Sequence, residues 1–259
     1  MANRMANNFN GEVGRSARSH RVPGTQLEVS RRSAGIHIRL HYGELLTMTS
    51  QRMREDQLPR ACQTARERWQ ACRATADGVL AGRPSLSQIV EAYRRNHQVG
   101  ARAELDFYRH LPSTHEALAR AARAERPDGK RHDHQRRISK RAMRVVGRRI
   151  PQLSTEEVRT FEELLERVET LIGAIEGVGR LMVYDTSLRI GARVGVEPDR
   201  VYLHAGTREG ARALGLATDR GFLFMEELPL QLRRLKPREV EDLLCIYKAE
   251  LTRVRRAFQ

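Results

Sequence analysis

The chain has 259 residues, and aromatic residues make up only 5% of them, so we expect one large or two modest domains with an aliphatic core. Basic residues outnumber acidic ones by 47 to 32, and the formal net charge of +15 favours a polyanionic partner, nucleic acid first and an anionic membrane surface second. We find no apolar leader in the first thirty residues and no long apolar window, so we expect a cytoplasmic protein, nucleoid-associated if bacterial, with no membrane partner.

Apolar residues recur mainly at helical spacing, and alternating β-branched runs are scarce, which predicts a mainly α fold with few strands or none. The three cysteines form no CxxC pair and cannot build a disulfide framework. We therefore interpret Cys62, Cys72 and Cys245 as buried, small apolar residues in a reducing compartment, and we expect no iron–sulfur cluster.

The first half of the chain predicts an arm followed by a helical bundle. Residues 1–45 are basic and largely aperiodic, which is typical of a flexible arm, with one short strand predicted between Ala34 and Tyr42. Residues 46–125 contain several helical patterns. One runs from Arg54 to Leu80, and a second starts at Ser85 or Ser87 and ends at Gly100. A short third helix follows and ends at Pro112, and a fourth is capped by Ser113.

Residues 126–152 form the most basic segment of the chain. We assign nucleic-acid contacts here to the polar and cationic side chains Lys130, Arg131, Gln135, Arg136 and Arg137. His132 and His134 flank Asp133, and three interpretations stay open for them: an acid–base pair, two ligands of a metal, or hydrogen-bond donors to phosphates or bases. A fourth interpretation is that the segment is a solvated linker. No third ligand stands at metal-site spacing, so we assign no metal.

The segment Ile175–Gly179 lies between two helical patterns. Ser154 and Glu157 form a predicted capping box for the first pattern, and the second runs from Leu181 to Val194. The segment resembles the hairpin of helix-hairpin-helix DNA-binding proteins, in which an apolar residue precedes a Gly-apolar-Gly triplet, here Gly177, Val178 and Gly179. The resemblance implies that backbone N–H groups of the hairpin hold a DNA phosphate. The alternative is a tight helical connection without a ligand.

The chain downstream resembles, more weakly, the helix-hairpin-helix DNA glycosylases. In that family an aspartate about twenty residues after the hairpin supports base excision, and Asp199 lies at this position. Leu181 occupies the position of the lysine that bifunctional members carry, which implies a monofunctional enzyme without a Schiff-base step. Asp185 is the rival acid, either catalytic or paired with Arg189.

A third candidate site begins after Asp199. Thr207 is predicted to cap a short helix, and its hydroxyl, the helix N-terminus and the cations beside it form a predicted anion site. The nucleic-acid contacts assigned to this segment are those of His204, Thr207, Arg208 and Arg212, and the residues assigned to a pocket for an extruded base are Tyr184 and Tyr202. The alternative is a capped structural helix with His204 in the core.

These patterns predict a mainly α multi-helix bundle with a helix-hairpin-helix module in a C-terminal domain, residues 153–259. The predicted function is binding of DNA, a duplex that is distorted or modified, with monofunctional base excision by Asp199, Asp185, His132 and His134 as the sharper hypothesis. The alternatives are a non-catalytic architectural DNA-binding protein and a histidine-dependent metal nuclease. No cofactor is predicted.

Overall fold

The computed structural model of the protein describes residues 27–32, 35–40, 57–73 and 83–254. The chain divides into two compact units, residues 1–53 and 54–259, so the predicted boundaries near residues 125 and 152 both fall within the second unit. In the first unit, β1 (Leu27–Arg32) pairs antiparallel with β2 (Gly35–Leu40), with Leu27 opposite Leu40. The rest of the predicted arm lies outside the described residues.

The described part of the second unit is mainly helical, as the apolar spacing predicted. Its helices are α1 (Arg60–Arg73), α2 (Leu86–Tyr93), α3 (Val99–Arg109), α4 (Thr114–Ala122), α5 (Lys140–Arg149), α6 (Phe161–Ile172), α7 (Arg180–Val194), α8 (Ala205–Ala213), α9 (Pro237–Ile246) and α10 (Lys248–Leu251). Two short strands, β3 (Val201–Tyr202) and β4 (Phe222–Leu223), form an antiparallel pair. No helix among the described residues is long and apolar enough to cross a membrane.

Polar side chains cap several helices where the sequence predicted them. Ser85 accepts the backbone N–H of Gln88 at the start of α2, and Ser113 accepts that of Glu116 at the start of α4. The prediction for α6 was wrong, because its capping box is formed by Thr160 and Glu163 rather than by Ser154 and Glu157. Glu157 has a left-handed backbone with φ of 61°, which excludes it from a helix.

The predicted helix end at Gly100 was also wrong. One continuous helical run extends from α2 through a π-helical turn, Arg94–Gln98, into α3, and Gly100 lies inside α3. A Cβ atom at Gly100 would lie 3.2 Å from the Cβ atom of Cys72, so the glycine lets α1 and α3 pack closely. Gly100 is therefore explained by the contact between α1 and α3, and it does not end a helix.

Two hydrophobic cores organise the second unit. The first is formed by α1, α3, α4, α5, α6 and α7, with Phe107, Leu164 and Ile190 fully buried. The second is formed by α2, the β3–β4 pair, α8, α9 and α10, with Ile89 and Leu243 fully buried. The π-helical turn changes which face of the run is buried, so α2 contributes to the second core and α3 to the first.

The cysteines were predicted to be buried, and this is correct for only one of them. Cys62 is buried in the first core and its thiol lies 3.3 Å from the carbonyl oxygen of Phe107. Cys72 is half-buried and Cys245 is exposed on α9.

Candidate nucleic-acid interface

The connection between α6 and α7 exposes its backbone. Gly177 has φ of +85°, and an added Cβ atom at Gly177 or Gly179 would meet nothing within 4 Å. Ile175 and Val178 pack inward on the first core, and the N–H of Val178 donates to the carbonyl of Ile175 at 2.9 Å. The outer surface of this hairpin, residues 173–179, therefore exposes main chain at Gly177 and Gly179, beside the exposed side chains of Ala174 and Glu176.

The N-terminus of α7 has free hydrogen-bond donors. Gly179 is the N-cap and has no side chain to accept the first N–H groups of the helix. Within the described chain, no acceptor bonds the N–H groups of Arg180 and Leu181. The partial positive charge at the start of this 15-residue helix is therefore open to an anion.

The exposed face of α5 is entirely cationic. Ala142, Met143 and Val146 are buried on its inner face. Its exposed side chains are Lys140, Arg141, Arg144, Arg148 and Arg149, which recur at helical spacing. No carboxylate in the described part of the chain lies within salt-bridge distance of Lys140, Arg141, Arg144 or Arg148. We call this surface the α5 basic face.

The α5 basic face adjoins the hairpin at one end. Arg149, in the last turn of α5, donates through Nη1 to the carbonyl oxygen of Leu171 at 2.9 Å, and Leu171 stands just before residue 173, where the hairpin begins. At the other end, an open groove of about 450 Å³ is lined by Arg123, Arg131, Lys140, Met143 and Arg144. The cations therefore follow a helix about 15 Å long.

The predicted cations of residues 130–137 differ in their accessibility. Lys130, Arg136 and Arg137 are exposed, although Arg136 forms an ion pair of 3.1 Å with Asp133. Arg131 is half-buried and lines the groove beside α5. Gln135 is 2% exposed and its Nε2 atom donates to Asp185 Oδ2 at 2.7 Å, so it does not face solvent.

A network of histidines and carboxylates holds this segment against α3 and α7. His132 Nε2 lies 2.7 Å from Glu104 Oε1, and His134 Nε2 lies 2.8 Å from Asp185 Oδ2. Arg189, 4% exposed at its side chain, lies between them, at 3.2 Å from Glu104 and 4.0 Å from Asp185. The structure therefore brings together three predicted catalytic residues, His132, His134 and Asp185, in hydrogen bonds that connect elements.

The charges of this network are mutually compensated. Burial alone would raise the pKa of Glu104, but His132 and Arg189 outweigh burial and lower it to about 2. The hydrogen bond with Asp185 raises the pKa of His134 above its ordinary value, against the effect of partial burial. Glu104 is therefore ionised and pairs with Arg189. The contacts of His132 with Glu104 and of His134 with Asp185 anchor the basic segment to α3 and α7.

An aromatic pocket lies beside the N-terminus of α7. It has a volume of about 160 Å³ and is lined by side chains from α6, α7, β3 and β4. The rings of Tyr184 and His204 lie 4.6 Å apart, and those of Tyr184 and Tyr202 lie 5.5 Å apart. Phe222 also lines the pocket, together with the charged side chains of Glu169, Arg180 and Arg220.

Three polar atoms of the pocket residues lack partners. The hydroxyl groups of Tyr184 and Tyr202 and the Nε2 atom of His204 are buried, and no described group forms a hydrogen bond with them. Burial lowers the pKa of His204 to about 4, so its imidazole is neutral at physiological pH. Tyr184 and Tyr202, which were assigned to a base pocket, and His204, which was assigned to nucleic-acid contacts, therefore line the same pocket.

Asp199 lies apart from the pocket lining. Its side chain is 67% exposed and bonds Arg200 Nε at 2.9 Å, and this hydrogen bond lowers its pKa. Arg200 also forms an ion pair of 3.1 Å with Glu162 on α6. Of the carboxylates in the described chain, Glu169 is the one that lines the pocket.

The segment around Thr207 forms a helix crossing. Thr207 is fully buried and its hydroxyl donates to Glu241 Oε1 at 2.7 Å, so it does not face an anion in solvent. A Cβ atom at Gly210 would lie 2.1 Å from the carbonyl oxygen of Leu244, so the glycine permits α8 to approach α9. Arg208 and Arg212 donate to Leu203 O and Thr218 Oγ1, at 3.3 and 3.2 Å.

Sequence reasoning missed the α5 basic face and the pocket residues Arg180, Arg220 and Phe222. The spacing of Arg137, Arg141, Arg144 and Arg148 was a visible signal, because it is that of one helical face. No comparable signal marks Arg220 or Phe222, which reach the pocket through the β3–β4 pair. The chain matches no protein-family model, and neither the curated proteins nor the solved structures contain a significantly similar one.

Proposed function

We propose that this protein binds DNA, with the α5 basic face and the hairpin on the phosphate backbone of a duplex. The observation that carries the proposal is the exposed side of α5, whose cations have no carboxylate partner in the described chain and which adjoins the hairpin through Arg149. Arginine and lysine side chains and free backbone N–H groups are the donors with which proteins hold phosphates.

The internal distribution of charge supports this proposal. Buried arginines of the second unit are compensated inside the protein: Arg120 pairs with Glu125 at 2.5 Å, and Arg126 pairs with Asp128 at 2.9 Å. Carboxylates used in this way are not available to α5. The cations of the α5 basic face are therefore left uncompensated, and a polyanion gains from contact with them.

We further propose a distorted duplex as the preferred form of DNA. The hairpin holds a phosphate at a helix N-terminus, and the aromatic pocket begins one turn further along α7 with Val183 and Tyr184. A bent or locally opened duplex allows both surfaces to be used at once. A regular duplex uses the backbone contacts alone.

Binding of the full-length protein to a fluorescent duplex, measured by anisotropy over a series of salt concentrations, tests the proposal. For phosphate-dominated contacts the logarithm of the binding constant falls linearly with the logarithm of salt concentration, by about 0.9 for each phosphate neutralised. We expect the single variants Arg141→Gln, Arg144→Gln and Arg148→Gln each to weaken binding and to reduce this slope by about 0.9.

The matched control is Arg234→Gln, which removes the same charge from an exposed site between Leu232 and Leu235 of the second core. We expect it to leave the slope unchanged. Equal effects of Arg144→Gln and Arg234→Gln would show that net charge alone attracts DNA, and the proposed interface would be wrong. A slope near zero for the unmodified protein would remove the electrostatic basis of the proposal.

A further inference from the structure

We infer that the aromatic pocket binds the planar ring of a nucleotide whose phosphate is held by Arg180 and the N-terminus of α7. The ligand class is therefore a heteroaromatic ring that carries a phosphate, either a free nucleotide or a nucleotide unpaired from DNA. The inference rests on the proposed function only in placing a phosphate at the hairpin.

The size and walls of the pocket fit one planar ring system. Its volume of about 160 Å³ is close to that of an engineered apolar cavity, about 150 Å³, that binds benzene. Tyr202 and Phe222 are only half-buried, so their rings border the opening as well as the interior. Aromatic side chains at such an opening stack on any base, because every base has a π face.

The unpartnered polar atoms fit a ring with heteroatoms at its edge. Tyr184 is 1% exposed, and its buried hydroxyl bonds no described group, nor do Tyr202 Oη and His204 Nε2. His204 lines the pocket, and a ligand whose ring nitrogens or exocyclic groups reach its Nε2 atom would supply the hydrogen bond that the protein does not.

The anion site lies at the rim of the same pocket. Arg180 is exposed, lines the pocket and has no carboxylate partner within the described chain, and its own N–H group is a free donor at the start of α7. Arg220, the second cation of the rim, already pairs with Glu227 and packs over the ring of Phe222. Arg180 is therefore the cation available to a phosphate.

Fluorescence titration of the full-length protein with 2-aminopurine nucleotides tests this inference, because stacking on an aromatic ring quenches 2-aminopurine. The probes are 2-aminopurine riboside 5′-monophosphate, the same riboside without phosphate, and a duplex with one unpaired 2-aminopurine opposite an abasic site. We expect saturable quenching with at least one phosphate-bearing probe and about tenfold weaker binding of the riboside. The probe that saturates at lower concentration identifies the source of the ligand.

Two variants assign the effect to the pocket. Arg180→Gln, at an exposed position that leaves the fold intact, should abolish the advantage of the monophosphate over the riboside. Tyr202→Leu should abolish quenching of both. The inference would be overturned if neither phosphate-bearing probe gave saturable quenching. It would also be overturned if both variants bound the probes as the unmodified protein does.

A third variant separates this inference from the proposed function. Arg144→Gln should weaken duplex binding and leave binding of the free monophosphate unchanged. Pocket binding without an effect of Arg144→Gln on duplexes would contradict the proposed function alone. An effect of Arg144→Gln without any pocket binding would contradict this inference alone.

Discussion

Glu239 and Glu241 lie on the same helix, α9, and the pKa values of their carboxyl groups are shifted in opposite directions. Burial raises the pKa of Glu241, helped by the charge of Asp242, and the hydrogen bond from Thr207 does not outweigh them. Glu239 is buried too, but its bond of 2.7 Å to Arg102 lowers its pKa below the ordinary value. One carboxyl group therefore opposes folding when it is ionised, and the other favours folding.

We predict that Glu241→Gln makes the protein at least as stable as the unmodified chain at pH 8. Because the pKa of Glu241 is raised in the folded state, its contribution to stability is lost as the pH rises above the unfolded value of about 4.3. Glutamine keeps an acceptor for Thr207 and cannot ionise. Urea denaturation of both proteins between pH 5 and pH 8 should therefore show a weaker loss of stability for the variant.

Glu239→Gln is the control, because its expected effect on stability has the opposite sign. The pKa of Glu239 is lowered, so its stabilising contribution is present above the unfolded pKa and lost as the pH falls through the folded one. At neutral pH we expect this variant to lose about 1–3 kcal/mol, because a charge-assisted bond to Arg102 is removed. Destabilisation of Glu241→Gln by as much as Glu239→Gln at pH 8 would contradict the raised pKa.

Two helical glycines of this chain have opposite surroundings. A Cβ atom at Gly210 would lie within 3.0 Å of three backbone atoms of Leu244, whereas one at Gly147 on α5 would meet nothing within 4 Å. We predict that Gly210→Ala forces α8 and α9 apart and costs about 1–3 kcal/mol or more. Gly147→Ala should stabilise by about 0.5–1 kcal/mol. Thermal unfolding measures both, and similar effects would contradict the close packing of α8 on α9.

The hairpin can be tested without disturbing the core. Gly179 has φ of −95°, which alanine adopts without strain, and an added Cβ atom would meet nothing within 4 Å. We predict that Gly179→Ala costs less than about 1 kcal/mol of stability. It should weaken duplex binding by about threefold to tenfold, because the methyl group hinders access of a phosphate to the free N–H groups.

Gly177→Ala is the contrasting variant of the same hairpin. Its φ of +85° makes a side chain unfavourable, so the stability should fall by about 1–2 kcal/mol. Duplex binding that stays unchanged in Gly179→Ala, measured by the same anisotropy titration, would exclude the N-terminus of α7 from the interface.

Helix starts and ends could be predicted from the sequence where contacts within a few residues determine them. They could not be predicted where contacts between distant elements determine them. Ser85 and Ser113 cap their helices because the side chain bonds a backbone N–H only three residues away. The capping box predicted at Ser154 was wrong, and the one that forms at Thr160 places Phe161 in the core at the start of α6. Gly100 was misread as a break because its neighbour, Cys72, comes from another helix.

For the candidate site, the sequence predicted some of the residues but not how the fold arranges them. Tyr184 and Tyr202 were assigned to a base pocket and line one pocket with His204, while Arg180, Arg220 and Phe222 were not predicted as site residues. The pocket forms where helices of the first core meet the β3–β4 pair, which packs on the second core, and a contact between distant segments leaves no periodic signal.

The same arrangement bears on base excision, which stays a prediction from the resemblance to glycosylases. Asp199 is the acid assigned by that resemblance, yet its carboxylate bonds Arg200 and is absent from the lining of the pocket. An acid that promotes loss of a base must reach the sugar or a water beside it. We therefore predict that the protein binds modified duplexes without Asp199-dependent removal of the base.

Labelled duplexes with varied modified bases, incubated with and without EDTA and then treated with alkali, measure this outcome. We expect mobility shifts without product, and identical behaviour of Asp199→Asn, because an exposed ion pair contributes little to stability or binding. Strand breaks that appear only after alkali and disappear in Asp199→Asn would establish base excision and require Arg200 to release the carboxylate. EDTA-sensitive breaks before alkali would instead establish a metal-dependent nuclease, and His132→Asn and His134→Asn would then show whether the two histidines that bond Glu104 and Asp185 take part.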